Sequence, residues 1–325
     1  MGRPFQTTVI GSYWRRDSQE LRRPTLSKAE GDEACRWAIG EQVRAGLDII
    51  TDGEQRRESF ITYFQHRIPG FSFKGPVPRT WGRHTVPVPR VVEEVYYAPI
   101  GMVEEWRFAR SVAPPHVEVK ATCAGPHILS RFCQDEVYGS PERLAMEIAE
   151  VLNQELKALV KAGCPFIQLD EPHWSGEPGD LKWAARAFNQ AVEGLGIPVG
   201  LHVCMGNPKL KRIFPNRRYH ELLEGFRNVR VDQVLLEYAT HPYDVLSVFD
   251  EWDFQGEFAI GVVDVKSLVV ETPEEIVRRV ERALDRFPPE RLLLTSECGY
   301  IYTPPEIAFG KMKALVEGAQ ILRGR

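Results

Sequence analysis

The stretch Leu201-His-Val-Cys-Met-Gly-Asn207 ends an apolar run, residues 198–204, that reads as a β-strand. Side chains alternate between the faces of a strand, so His202 and Cys204 point one way while Leu201 and Val203 point the other. Two good metal ligands then share one pocket. Imidazole with thiolate is ligand chemistry for zinc, which takes four donors, so the remaining donors are expected elsewhere in the chain.

Outward from this stretch, the strand is one of eight. Runs 7–13, 48–54, 116–125, 166–171, 198–204, 233–238, 258–265 and 292–298 are short, apolar and β-branched. Helical patterns follow them at 31–45, 55–67, 141–162, 180–194, 218–225, 243–251, 273–286 and 305–321. Several open with start signals, such as Ser140 before Pro141 and Thr272 before Pro273 with Glu275 following. An eightfold strand-then-helix alternation predicts an α/β fold, a single (β/α)8 TIM barrel spanning residues 1–325 as one catalytic domain. Residues 70–115 break the rhythm. Rich in proline and aromatics and without a helical period, they read as an inserted arm after the second helix. The expected form is a β-hairpin across the barrel mouth carrying Trp81, His84, Tyr96, Tyr97 and Trp106.

A formal net charge of -4 over 325 residues gives no electrostatic case for nucleic acid. No stretch approaches the run of about 18 apolar residues that a spanning helix needs, and the first residues lack a basic-then-apolar leader. The expectation is a cytoplasmic protein with no membrane partner, whose six scattered cysteines are reduced thiols.

Barrel enzymes carry their chemistry at the C-terminal ends of strands. Here those ends hold Asp52 and Glu54, Asp170, His202 and Cys204, Glu237, Asp264 and Lys266, and Cys298. An ionised carboxylate such as Glu237, set in Val-Leu-Leu-Glu-Tyr-Ala, is costly to bury unless paired or metal-bound. Together His202, Cys204, Glu237 and Cys298 supply an imidazole, two thiolates and a carboxylate, a set that suits Zn2+. A thiol reaching such a metal loses its proton and becomes nucleophilic, so thiol alkylation is a natural task. Glu54 and Asp170 are then spare carboxylates for a positive handle such as an α-ammonium. The basic run Lys209, Lys211, Arg212, Arg217 and Arg218 follows the fifth strand and is a candidate for steering an anionic donor or an acidic partner.

The motifs Thr7-Thr-Val-Ile-Gly-Ser12, Asp52-Gly-Glu54, Asp170-Glu-Pro172, His202-Val-Cys204, Glu237, Gly261-Val-Val-Asp264 and Cys298-Gly299 follow one another along nearly the whole chain. In this order they resemble the catalytic barrel of the cobalamin-independent methionine synthase family, in its short single-barrel form. The resemblance implies zinc on His202, Cys204, Glu237 and Cys298 with homocysteine sulfur at the metal, and an amino-acid site formed by Ile10, Gly11, Ser12, Glu54 and Asp170. It implies a methyl donor, either methyltetrahydrofolate or a methylated corrinoid such as methylcobalamin, free or on a corrinoid protein. Phe132 stands where folate users of the family carry a pterin-contacting tryptophan. Asp264-Val265-Lys266 stands for the family's Asp-Ile-His, which makes Asp264 and Lys266 candidate catalytic groups. Two other chemistries fit the same residues: alkyl transfer to another small thiol, as in epoxyalkane:coenzyme M transferases, and hydrolysis by zinc-bound water.

Overall fold

The computed structural model describes residues 3–15, 25–81, 84–207 and 210–324. Lys209 and the side chains of Trp81 and His84 lie outside the described residues. Helix α1 (Lys28–Ala45) starts at a capping box in which the Ser27 and Glu30 side chains satisfy each other's backbone N–H, and it ends on left-handed Gly46. Then come β1 (Ile49–Ile50), the short α2 (Thr62–Gln65), β2 (Phe71–Trp81), β3 (His84–Val91), α3 (Met102–Val112), β4 (Glu118–Val119), β5 (Ala121–Ala124), α4 (Pro126–Arg131) and β6 (Gln134–Asp135). From there strands and helices alternate: α5 (Pro141–Lys161), β7 (Ile167–Asp170), α6 (Leu181–Ala191), β8 (Val199–Val203), α7 (Leu223–Asn228), β9 (Gln233–Glu237), α8 (Pro242–Glu251), β10 (Glu257–Val263), α9 (Pro273–Glu281), β11 (Leu292–Ser296) and α10 (Pro305–Arg323). No described helix is long and apolar enough to cross a membrane.

Six strands form a parallel sheet in the order β11-β10-β9-β8-β7-β5, and β1 pairs in parallel with β4. Backbone hydrogen bonds carry the pairing the rest of the way round. Thr8 N–H donates to the Leu294 carbonyl at 2.9 Å, Ile49 N–H to Thr7 at 3.0 Å, Lys120 N–H to Ile50 at 3.0 Å and Ala121 N–H to Phe166 at 3.1 Å. Two apolar layers result, as a barrel requires. The larger lies between strands and helices, and a small separate one, Ile10, Ile49, Leu235, Ala259 and Leu293, fills the lumen.

The segment 7–13, expected as a full strand, contributes a single bridge, Thr7 to Leu294. Side chains satisfy much of the rest of its backbone. Asp48 accepts from Thr7 N–H at 2.8 Å, Gln168 donates to Ile10 O at 2.9 Å, Thr51 to Gly11 O at 2.7 Å and Gln55 to Tyr13 O at 3.1 Å. The helix expected over 55–67 shrinks to α2 because its first half is tied inward: Arg57 binds Thr122, and Ser59 Oγ accepts the Ile61 and Thr62 N–H groups.

The arm is a hairpin: β2 pairs antiparallel with β3, which in turn pairs with β6. The expectation that 70–115 holds no helix fails at α3. A helix needs partners for its first N–H groups, and α3 finds them far away in sequence. The Glu155 carboxylate of α5 accepts from Ile100, Gly101 and Met102 at 2.9–3.2 Å. Trp106, expected on the arm, belongs to the core through α3 and donates to Val119 O at 2.9 Å. The unexpected α4 is held the same way, with Glu171 accepting from His127 and Ile128 at 2.9 and 3.0 Å.

Candidate metal and amino-acid site

β8 ends at Val203, and its lumen-facing positions run Gly200, His202 and then Cys204 just past the end. His202 is buried, and its Nδ1 lies 2.8 Å from Asp170 Oδ1. A carboxylate on Nδ1 fixes the tautomer and leaves Nε2 with its lone pair outward. That Nε2 is buried and has no hydrogen-bond partner, a costly state for a polar atom unless something binds it. Cys298 follows the end of β11 and brings its Sγ to 3.8 Å from Cys204 Sγ. The ligand atoms of His202, Cys204 and Cys298 all lie within 4.8 Å of one another, a geometry that can hold a metal ion. The hydrogen bond between the thiols lowers Cys298 below its ordinary range and pushes Cys204 well above. For His202, burial opposes the charged form, but the bond to Asp170 outweighs it and raises the imidazole.

Glu237 is not part of this cluster. Its fully buried carboxylate accepts from Lys266 Nζ at 2.9 Å, Met205 N–H at 3.0 Å and Arg212 at 2.7 and 3.1 Å. Burial works to raise it, but Lys266 and Arg212 prevail and hold it below the usual range. Lys266 also reaches Glu297 Oε2 at 3.3 Å, while Asp264 accepts the Lys266 backbone N–H at 2.8 Å, its one side-chain bond among the described residues. The strand ends at Val263, after a register shift between Gly261 and Val263, so the alternation that would turn Asp264 into the lumen does not reach it. Of the basic run, Arg212 is committed to Glu237, and Arg217 to the Ser175 carbonyl and Glu221.

The cluster opens onto a cavity of about 290 Å³. Ile10, Ser12, Glu54, Asp170, His202, Cys204, Cys298 and Phe132 line it, together with residues 85–89 of the hairpin; Glu237, Asp264 and Lys266 do not. Glu54 reaches it by a route that strand alternation did not foresee. β1 ends at Ile50, and Gly53 and Glu54 both take left-handed backbone, with φ of 72° and 54°. For a glutamate that conformation is strained. Asp52 supports the turn by accepting Glu54 N–H at 2.9 Å, so it serves the backbone and does not face the lumen beside Glu54. The Glu54 carboxylate accepts from Thr122 at 3.0 Å and pairs with Arg57 at 3.3 Å. Burial raises it, opposed by Arg57 and helped by Asp170. Gly11 makes room, since a Cβ there would stand 2.5 Å from Glu54 Oε1. Gly299 likewise admits the Ser12 hydroxyl, 2.0 Å from where its Cβ would be.

Glu297 and Arg57 escaped the sequence reading. Glu297 is fully buried, accepts from Thr240 N–H and Oγ1 at 2.8 Å, and is pushed up to about 7 by burial. Its signal was present: Leu293 and Thr295 share one face of β11, Leu293 lies in the lumenal cluster, and Glu297 keeps the same period one residue past the strand end.

A family model described as the catalytic domain of cobalamin-independent synthases matches residues 5–321. The methionine synthase of Sulfurisphaera tokodaii is 35% identical over 98% of this chain and 92% of that protein. That of Saccharolobus solfataricus is 34% identical over 98% and 94%. The structure of a B12-independent methionine synthase from Shewanella sp. W3-18-1, in complex with selenomethionine, superimposes with a TM-score of 0.88 at 27% identity, covering 99% of this chain and 98% of that one. The chain belongs to the cobalamin-independent methionine synthase family, through its catalytic domain.

Proposed function

We propose that this enzyme transfers a methyl group to the thiol of homocysteine, giving methionine, with zinc as its metal. The observation that carries the reading is that the cavity holding Glu54 and Asp170 is the one onto which His202, Cys204 and Cys298 open. The buried, partnerless His202 Nε2 beside two thiols fits a thiophilic ion. His202, Cys204 and Cys298 would hold the zinc, with Glu237 as the fourth donor. Lys266 and Arg212 offer that carboxylate an alternative seat, which suits a donor that yields to an incoming thiol. When bound, zinc supplies the charge that keeps a thiol in its nucleophilic form.

The remaining work falls to the protein. Glu54 and Asp170 receive the α-ammonium, and the Ile10–Ser12 backbone frames the same end, so binding energy at the handle becomes alignment of the sulfur. Selenomethionine in the Shewanella enzyme is support for an amino-acid site. Two carboxylates at this place suit an ammonium and not the sulfonate of coenzyme M. Phe60, Phe132 and Ile301 also line the cavity and give it apolar surface suited to a flat heterocycle. With the family's description as cobalamin-independent, this favours methyltetrahydrofolate over a methylated corrinoid as donor. Lys266 is assigned to holding Glu237 and Glu297, and Asp264 to the turn that delivers Lys266.

The test is methionine formation from homocysteine with methyltetrahydrofolate and methylcobalamin side by side, on zinc-loaded and chelator-treated protein. Turnover with the folate that disappears on zinc removal is expected. Turnover with methylcobalamin alone overturns the donor, and zinc-independent turnover overturns the metal.

A further inference from the structure

Two buried polar residues beneath this site have no role in the chemistry above. Lys120, between β4 and β5, is 3% exposed, and its Nζ donates to Gln168 Oε1 at 2.6 Å, its one side-chain hydrogen bond among the described residues. Gln168, fully buried on β7, turns its Nε2 toward the site. It donates to Ile10 O at 2.9 Å and to Asp170 Oδ1 at 2.7 Å. The same Oδ1 meets His202 Nδ1 at 2.8 Å. Lys120, Gln168, Asp170 and His202 therefore form one unbroken relay, from the lumen to the nitrogen opposite the thiol pair.

The relay has a direction. Reversed, the Gln168 amide would turn its oxygen on the Ile10 carbonyl and the Asp170 carboxylate, and its NH2 on an ammonium. Lys120 makes that arrangement repulsive at both ends. A buried ammonium is a costly way to fill space, since burial pushes Lys120 down to about 7 against the pull of Asp170, Glu118 and Glu54. Methionine would fill the same volume without that cost. With both bonds on Oδ1, Asp170 Oδ2 accepts none among the described residues, and Asp170 lines the cavity.

We propose that Lys120 and Gln168 are positioning residues: they lock Asp170 and the Ile10 carbonyl in place, and through Asp170 they decide which His202 nitrogen faces Cys204 and Cys298. This rests on the metal and amino-acid reading given above. It makes the amino-acid handle and the metal ligand two ends of one hydrogen-bonded unit.

The test uses the full chain with Gln168→Glu, which keeps the shape but, ionised beside Lys120, cannot donate, and Lys120→Met, which removes the ammonium. Zinc affinity is read by competition with a chromogenic chelator, homocysteine affinity by calorimetry, and ligand geometry by the visible spectrum of cobalt-substituted protein. Gln168→Glu is expected to weaken both affinities about 10- to 100-fold, the usual size for partners that orient a ligand, and to shift the cobalt bands, with thermal unfolding still a single transition. Lys120→Met moves each readout the same way by less. Wild-type affinities and spectrum in Gln168→Glu overturn the proposal. Should that variant not fold, Lys120→Met decides by the same criteria, and a crystal structure of the wild type decides independently, since an amide turned away from Asp170 overturns it. Wild-type protein that binds neither zinc nor homocysteine overturns the reading of the site and the relay with it, a result distinct from variants that bind both normally.

Discussion

The two halves of the barrel build their parts of the site in different ways. From β7 to β11 the strands pair in continuous parallel ladders with one register shift, between Gly261 and Val263, and the pleat delivers His202 and Glu237 by alternation and carries on to Cys204 just past the end of β8. From residue 7 to β4 the strands are two residues long or absent from the ladder, and Gln42, Asp48, Thr51, Gln55 and Gln168 bond the backbone in place of a neighbouring strand. A ladder aims side chains at fixed spacings; side-chain bracing frees backbone to bend around a ligand. The proposed metal cluster sits on the first kind of scaffold and most of the proposed amino-acid handle on the second. Asp170, bonded to His202, joins the two; residues on either side that lie outside that link should fail separately.

The strongest way to break this contrast is to remove a ligand on the ladder side. Cys298→Ala leaves His202 and Cys204 with only the yielding Glu237 beside them, and zinc content and methionine formation should both be lost, the latter by about three orders of magnitude or more, as expected when a charge-stabilising group is removed from a catalytic centre. Metal analysis and the assay above check it. Full zinc in Cys298→Ala would place the metal elsewhere and dissolve the comparison. The converse is Glu54→Gln on the braced side. Losing one charge-assisted bond to an ammonium costs about 1.5–3 kcal/mol, so calorimetric affinity for homocysteine should fall about 10- to 100-fold while zinc stays stoichiometric. Loss of zinc in that variant would show that the halves are not separable.

The same contrast explains what could be read from sequence. His202, Cys204 and Glu237 follow a two-residue period along uninterrupted apolar runs, so their common face was legible, and Glu297 was legible by the same rule on β11. Asp52 and Asp264 were misread because the period itself breaks before them, Asp52 in the turn beyond the two-residue β1 and Asp264 after the register shift between Gly261 and Val263. Ile10, Gly11 and Ser12 carry no periodic signal and were reached only through the family motif. Helices α3 and α4 were invisible to local reading because their N-termini are capped by Glu155 and Glu171, which arrive from 53–55 and 43–44 residues away. Arg57, Lys120 and Gln168 each bond a partner that the fold brings from far along the chain, Thr122, Gln168 and Ile10 respectively.

A finer test of the braced half is Gly11→Ala. The new Cβ would stand 2.5 Å from Glu54 Oε1, so the carboxylate must retreat from a position that Gly53 and Glu54 hold with left-handed backbone. A displaced handle misaligns the thiol without touching the metal ligands. The expected result is a rise in KM for homocysteine of about tenfold, below the cost of a full 1 Å misplacement of the reacting groups, with zinc content unchanged. A wild-type KM would mean that Glu54 has room to spare.

The smallest effect lies at the seam. The segment carrying β4 and β5 pairs with β1 on one side and β7 on the other, and Lys120 sits between the two. Its folded value is about 7, below the ordinary lysine range, because burial disfavours the ammonium. Between pH 7 and the unfolded value near 10.4, the unfolded chain holds a proton on this residue that the folded chain has released. Protons bound more tightly by the unfolded state make stability rise with pH, here by at most about 1.4 kcal/mol per pH unit for one group. Lys120→Met has no such group. The difference in urea midpoint between wild type and variant should therefore shift in favour of the wild type as pH rises from 7 to 8.5, and stay constant between pH 5 and 6, where the lysine is charged in both states. A difference that stays flat across both windows would mean that Lys120 keeps its proton in the fold, stabilised by Asp170 and Glu54 more strongly than burial opposes it, and the seam would then be an ion-paired one.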